Sequence, residues 1–308
     1  MSKAIKIKFT DFWSGFVDRD SFLFHFLEKH FNVVLSEDPD FLIYSVWGND
    51  FLKYDCIRIF HTMENVVPDF NECDYSFSFV HDTFDGKNYR LPNYVAYADP
   101  KVLLGPKDPE QILKSKTKFC NMVVSNPKAK KRIDFFHLLS TYKHIDSGGK
   151  YLNNIGGPIP HKANFIKDYK FTLAFENESV KGYTTEKLLE PMLVNSIPLY
   201  WGNPEVDKDF NTESFINYND FANDKEFLDR IIEVDQNDKL YMDILSNPYF
   251  NNNQINIYFN EELLKQQFEK IFSSKGKIKP VAKTWKKFLL NKRTVTNYLR
   301  SIKRKIIK

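Results

Sequence analysis

Residues 169–210 hold a strand, a loop, a helix and a second strand in a unit short enough to dictate one topology. FTLAFEN is an apolar and β-branched run that reads as a buried strand, and ESVKGY after it has the composition of a loop. A helix is predicted from about Thr184, and IPLYWG reads as the next strand. Two strands joined through a helix of this length pair parallel, with a right-handed crossover. Parallel sheets need helices on their faces. This stretch therefore commits its part of the chain to an α/β layer arrangement.

The same rhythm runs through the rest. AIKIKFTDF alternates and is predicted as a strand, followed by a turn around Trp13 to Gly15. Asp20 to His30 carries Phe22, Leu23, Phe26 and Leu27 at helical spacing. NVVLS, DFLIYSV, CIRIFHT and DYSFSFV are short strand-like runs, and a helix is predicted near Asp108 to Ser115. KFCNMVVSN then reads as a strand and Ala129 to Tyr142 as a helix. A Gly/Asn loop (SGGKYLNNIGG) and a short helix near Lys162 to Tyr169 follow, with later helices at 223–236 and 257–272. A chain of 308 residues can bury two such cores. The expected division is an N-terminal Rossmann-like domain (1–115), a C-terminal Rossmann-like domain (116–275) and a basic tail (276–308).

Several function classes are excluded. There is no GxGxxG and no GxxxxGK[ST], so neither an ordinary dinucleotide dehydrogenase nor P-loop phosphoryl transfer fits. The three cysteines, Cys56, Cys73 and Cys120, lack metal-site spacing and point to a reducing compartment. MSKAIKIKFTDFW has no unbroken apolar core of the signal-peptide kind, and no run is long enough to cross a bilayer. A cytoplasmic protein, at most resting on a membrane, is expected.

The chemistry gathers after FTLAFEN. Asn177 and Glu178 fall at the carboxyl edge of a buried strand, where α/β sheets bind ligands. Thr184 or Thr185 can cap the next helix, placing Glu186 and Lys187 in its first turn. Free N–H groups at a helix start, with Lys187, suit a diphosphate. Glu186 repels phosphate but accepts hydrogen bonds from a sugar or ribose diol. Together these features indicate a nucleotide sugar. Asp207-Lys208-Asp209 is the DxD-type match beside this segment, and it is expected in a surface turn, not at a metal.

FTLAFEN, GYTTEK and SIPLYWGNPEVDKDF together resemble the signature of the bacterial α-1,3/4-fucosyltransferases of glycosyltransferase family 10. Around 40 residues carry the match, with weaker likeness from Asp11-Phe12-Trp13 through SNPKAKKR to NPYF near Asn247. The resemblance implies an α/β fold of the GT-B type, two Rossmann-like domains with parallel sheets facing across a cleft. It implies inverting transfer of fucose from GDP-fucose, without a cofactor or metal, to O3 (or O4) of GlcNAc in a Galβ-GlcNAc surface glycan such as N-acetyllactosamine. Asn177, Tyr183, Glu186 and Lys187 match donor-binding positions. Arg132 matches a phosphate-binding arginine, although neighbouring Lys130 and Lys131 leave the register open by a residue or two. Inversion needs a carboxylate base opposite the leaving group. The family's T-G-E-N segment reads HTMEN here, which assigns that role to Glu64, with Val66 where a second acid often stands. His61, three residues earlier, could line the same site.

Net charge is +4, but residues 275–308 contain no Asp or Glu. Trp285, Phe288, Leu289, Leu299, Ile302 and Ile306 suggest an apolar stripe in a basic segment, the form of an interfacial helix on an anionic membrane. Family members with similar tails associate with the inner membrane. No nucleic-acid motif accompanies the charge. The competing reading of the whole chain is a non-catalytic glycan-binding or membrane-associated scaffold of the same fold.

Overall fold

The computed structural model describes residues 4–284. The chain forms two compact units, one built from the chain up to Leu91 and again from Asn260 onward, the other spanning Pro92–Phe259.

The first unit begins with β1 (Ile5–Thr10) and α1 (Phe22–His30), whose first turn is capped by the Ser21 side chain accepting from Phe24 N–H. Then come β2 (Val33–Leu35), β3 (Phe41–Tyr44), β4 (Ile57–His61), β5 (Tyr75–Ser78) and β6 (Asn88–Arg90). All six strands pair parallel in the order β2-β1-β3-β4-β5-β6. Every residue of β3, β4 and β5 is buried, as a sheet covered on both faces requires.

The second unit contains α2 (Pro109–Ser115), β7 (Lys118–Met122), α3 (Lys130–Ser140), β8 (Ile145–Ser147), α4 (Lys162–Ile166) and β9 (Tyr169–Phe175). It continues with α5 (Glu186–Leu193), β10 (Ile197–Trp201), β11 (Ile216–Asn217), α6 (Asp224–Gln236) and α7 (Asp238–Ser246). Its sheet is also all parallel, in the order β11-β10-β9-β7-β8, so β9 is central. The β9–α5–β10 crossover is the predicted one, with Phe171 beside Ile197 and Phe175 beside Trp201.

The chain then returns to the first unit as α8 (Glu261–Ser273), where Phe268 stacks on Phe77 of β5 at 4.5 Å. This return is the main departure from the expected boundaries at 115 and 275. The first sheet is closed over by a helix from the far end of the chain, a pairing that no local pattern announces. Residues 276–284 stay with the same unit: Val281 N–H donates to Asp74 (2.8 Å), and Ala282 is fully buried. The apolar stripe from Trp285 to Ile306 lies outside the described residues. Among the described residues, no helix is long and apolar enough to cross a membrane.

Candidate functional site

β9 delivers Glu176 and Asn177 to the carboxyl edge of the second sheet. Glu176 is fully buried. A carboxylate in that position persists only with partners. It accepts from Thr185 N–H and Thr185 Oγ1, both at 2.8 Å, and pairs with Lys187 Nζ at 3.4 Å. Burial drives its carboxyl above the usual range, and the Lys187 charge only partly offsets this. Gly202 makes the room: a Cβ there would lie 2.4 Å from Glu176 Cγ.

These contacts correct the expected anion seat. Of the two candidate caps, Thr185 caps α5, its side chain accepting from Lys187 N–H. The adjacent Thr185 N–H already serves Glu176. The N–H of the cap residue is thus taken by the protein's own carboxylate, and that of Lys187 by the cap side chain. Lys187 Nζ has three acceptors, Thr185 Oγ1 (3.1 Å), Glu186 Oε1 (3.3 Å) and Glu176 Oε2 (3.4 Å), which matches the three protons of an ammonium group. Burial alone would lower its pKa, but Glu176 and Glu186 hold it above the ordinary lysine value. Any phosphate that meets Lys187 must displace one of these bonds.

Glu186 is also mostly covered, and Asn93 Nδ2 donates to its Oε2 at 3.3 Å. Burial pushes its carboxyl up, yet Lys187 and then Lys162 outweigh that and leave it below the usual range. Arg132, on α3, is 1% exposed. Its Nε and Nη2 donate to the Phe175 carbonyl at the end of β9 (2.9 and 2.6 Å), and Nη2 donates to Asn177 Oδ1 (2.9 Å). Nη1 enters none of these bonds. The neighbours point elsewhere: Lys130 pairs with Asp134, and Lys131 with Tyr218 and Asp224. Among the three basic residues, Arg132 is therefore the one at the site. Tyr183 is buried close enough to influence the Arg132 charge. The structure thus brings together Arg132, Asn177, Tyr183, Glu186 and Lys187.

Glu176 and Asn93 belong to this cluster and were not singled out from sequence. For Glu176 the signal was available: an acid placed directly after five buried strand residues, 171–175. Asn93 carried none. A second correction concerns Asp209, expected in a surface turn. It is 1% exposed and accepts from Thr184 Oγ1 (2.7 Å), Tyr94 Oη (3.0 Å) and Asn203 Nδ2 (3.3 Å), a hub that positions the loop entering α5.

Glu64 lies in the other unit, three residues beyond the end of β4, again at a carboxyl edge. It is half-buried, and its backbone N–H donates to Thr62 Oγ1 (3.1 Å). No helix follows for it to cap, and among the described residues its carboxylate has no hydrogen-bond or ion-pair partner. His61 is buried, with Nδ1 3.1 Å from the Phe77 carbonyl, and burial pushes its pKa down to about 4. Among the described residues, no group of three or more His, Cys, Asp or Glu is arranged to hold a metal ion.

Two parallel sheets, one with a charged cluster at the carboxyl end of its central strand, define an α/β protein with a candidate ligand site at that strand end. The chain belongs to glycosyltransferase family 10, the fucosyltransferases: residues 113–266 match the family's C-terminal domain, and residues 7–97 match the alpha-(1,3)-fucosyltransferase FucT N-terminal domain. It is 30% identical over 294 residues to alpha-(1,3)-fucosyltransferase FucT of Helicobacter pylori, covering 83% of this chain and 61% of that one. A putative fucosyltransferase of Acanthamoeba polyphaga mimivirus is 36% identical over 173 residues, covering 52% of this chain and 29% of that protein. The chain thus spans less than two thirds of the length of either relative. Among solved structures, an alpha1,3-fucosyltransferase matches with a TM-score of 0.78 at 25% identity, over 91% of this chain and 92% of that one. One described as bound to GDP-fucose matches with a TM-score of 0.76 at 27% identity, over 88% and 92%. The expected GT-B-like α/β fold is the observed one.

Proposed function

We propose that this chain is an inverting α-1,3(/4)-fucosyltransferase that moves fucose from GDP-fucose to O3 (or O4) of GlcNAc in a Galβ-GlcNAc surface glycan. The observation that carries this reading is the buried cluster at the end of β9. There Arg132 leaves Nη1 outside its protein bonds, while Glu186 and Lys187 offer hydroxyl acceptors and a cation side by side. A solved relative described as bound to GDP-fucose supports the choice of donor.

In this reading Arg132 and Lys187 meet the diphosphate, while Glu186, Asn177 and Tyr183 orient the nucleotide sugar. Positive groups fixed before the reaction stabilise charge that develops on the departing GDP. They do so without a metal. Glu64 takes the proton from the acceptor hydroxyl as the oxygen attacks the anomeric carbon, and the C–O bond to GDP breaks on the opposite face. A carboxylate with no partner among the described residues keeps its lone pairs for that task. The basic tail attaches the enzyme peripherally to the cytoplasmic face of a membrane, where the acceptor glycan is assembled, and nucleic acid is not a partner.

The test is incubation of the purified chain with GDP-fucose and N-acetyllactosamine, reading GDP release and product linkage. Transfer by the wild type and its loss in Glu64→Ala are expected. No release by the wild type, or equal release by the variant, would support a non-catalytic scaffold instead.

A further inference from the structure

Asn93 opens a short 3-10 turn, Asn93–Ala96, entered from Pro92, and this turn packs against α5. Its Nδ2 donates to Glu186 Oε2 at 3.3 Å. Only the nitrogen end of an amide can donate to a carboxylate. Lys187 and Lys162 keep Glu186 ionised, so the amide is not free to flip. Its other end, Oδ1, is buried and has no hydrogen-bond partner. A covered amide oxygen without a donor is costly. An apolar side chain of similar size would avoid that cost but lose the bond to Glu186, so it is the bare oxygen that calls for an explanation.

The surrounding chemistry supplies one. Glu186 Oε1 accepts from Lys187 and Oε2 from Asn93, and each carboxylate oxygen retains a second lone pair. With Asn93 Oδ1, this end of the cluster presents acceptors, while its cations stand on the other side of Glu186, at Lys187. It repels phosphate and suits neighbouring hydroxyls. We propose that Asn93 is a donor-site residue whose amide nitrogen holds Glu186 in place and whose Oδ1 accepts a hydroxyl of the nucleotide sugar, on either the fucose or the ribose. Because Oδ1 is covered in the free chain, binding includes a small shift of the groups that cover it, with the bond from Nδ2 to Glu186 kept. The inference rests on the GDP-fucose reading above and extends it to a residue outside the sequence motif.

Calorimetric titration of the full chain with GDP-fucose and with GDP tests it, alongside thermal melting. Asn93→Leu is expected to weaken GDP-fucose binding about tenfold while melting at or above the wild-type temperature. Asn93→Asp keeps the shape but cannot donate to ionised Glu186, and is expected to lose more. If Asn93→Leu weakens GDP-fucose alone, the hydroxyl belongs to fucose; if it weakens GDP equally, to ribose. GDP-fucose affinity unchanged in Asn93→Leu, or wild-type affinity in Asn93→Asp, overturns the assignment. A wild type that binds no GDP-fucose fails earlier, and removes the functional reading with it.

Discussion

β4 and β9 hold similar places in their respective sheets, each with a parallel neighbour on both sides, and each leads to an acidic residue at the carboxyl edge. The two acids are treated in opposite ways. Glu176 follows β9 directly and is fully enclosed, held by Thr185 and Lys187 in a cluster whose charges are already matched. Glu64 stands three residues past β4 on an irregular loop, half-exposed, with no partner for its carboxylate among the described residues. A group that shapes a site must be immobilised and neutralised. A group that takes a proton must keep its lone pairs available. Burial and pairing therefore separate the architectural acid from the proposed chemical one, although both occupy ligand-binding edges.

The sharpest way to break this contrast is Glu64→Ala. Loss of a general base is expected to lower transfer by about 10²–10⁴-fold, with the melting temperature unchanged because no bond is removed. A fall in stability to match would move Glu64 into the architectural class. Next, Arg132→Lys cannot reproduce the forked contacts to Phe175 and Asn177, and kcat/KM for GDP-fucose is expected to drop about 10²-fold. Steady-state kinetics over a range of donor concentrations checks this.

Stability against pH tests the strand end beside Glu64. His61 has its pKa lowered to about 4, so between about 6.5 and 4 the unfolded chain binds a proton that the folded chain does not. Folding stability from this group therefore falls as pH drops through that window, by about 3 kcal/mol in all, and levels off below it. Urea denaturation at pH 7 and pH 4 should show that loss in the wild type but not in His61→Gln. A smaller effect is expected for Glu176→Gln, which keeps its shape but gives up the ion pair with Lys187: about tenfold weaker GDP-fucose binding by calorimetry. Smallest of all is the effect of EDTA. Activity should be unchanged, and a loss restored by manganese would break the metal-free account.

The long, periodic pieces of this fold were legible, because burying both faces of a parallel strand leaves an apolar run that loops do not imitate. The β9–α5–β10 crossover was readable down to its loop, and so was the placing of Arg132, Asn177, Glu186 and Lys187 near one another. β6, β8 and β11 were missed: at two or three residues each, they are too short to show a period. β6 also carries Asn88, a polar residue buried because its amide bonds Ser76, Ser78, Val80 and Asp82, and such satisfaction is invisible in a string of letters. Asp209 misled for the same reason, since the Tyr94 and Thr184 hydroxyls, from distant positions, make an acid at home in a core. Asn93 was unreadable because its partner lies 93 residues away.

The return of the chain through α8 has a consequence for how the molecule is made. Residues 92–259 form a continuous compact unit whose parts are all present once residue 259 is made, whereas the first sheet lacks Phe268 over Phe77 until the chain returns. Nearly 200 residues separate these two rings, so strands made before the second unit are sealed only after it. Until then their apolar face is exposed to other chains, a natural point of recognition for a chaperone. A nascent chain arrested before residue 261 should therefore protect the middle of the sequence from protease while leaving its beginning open.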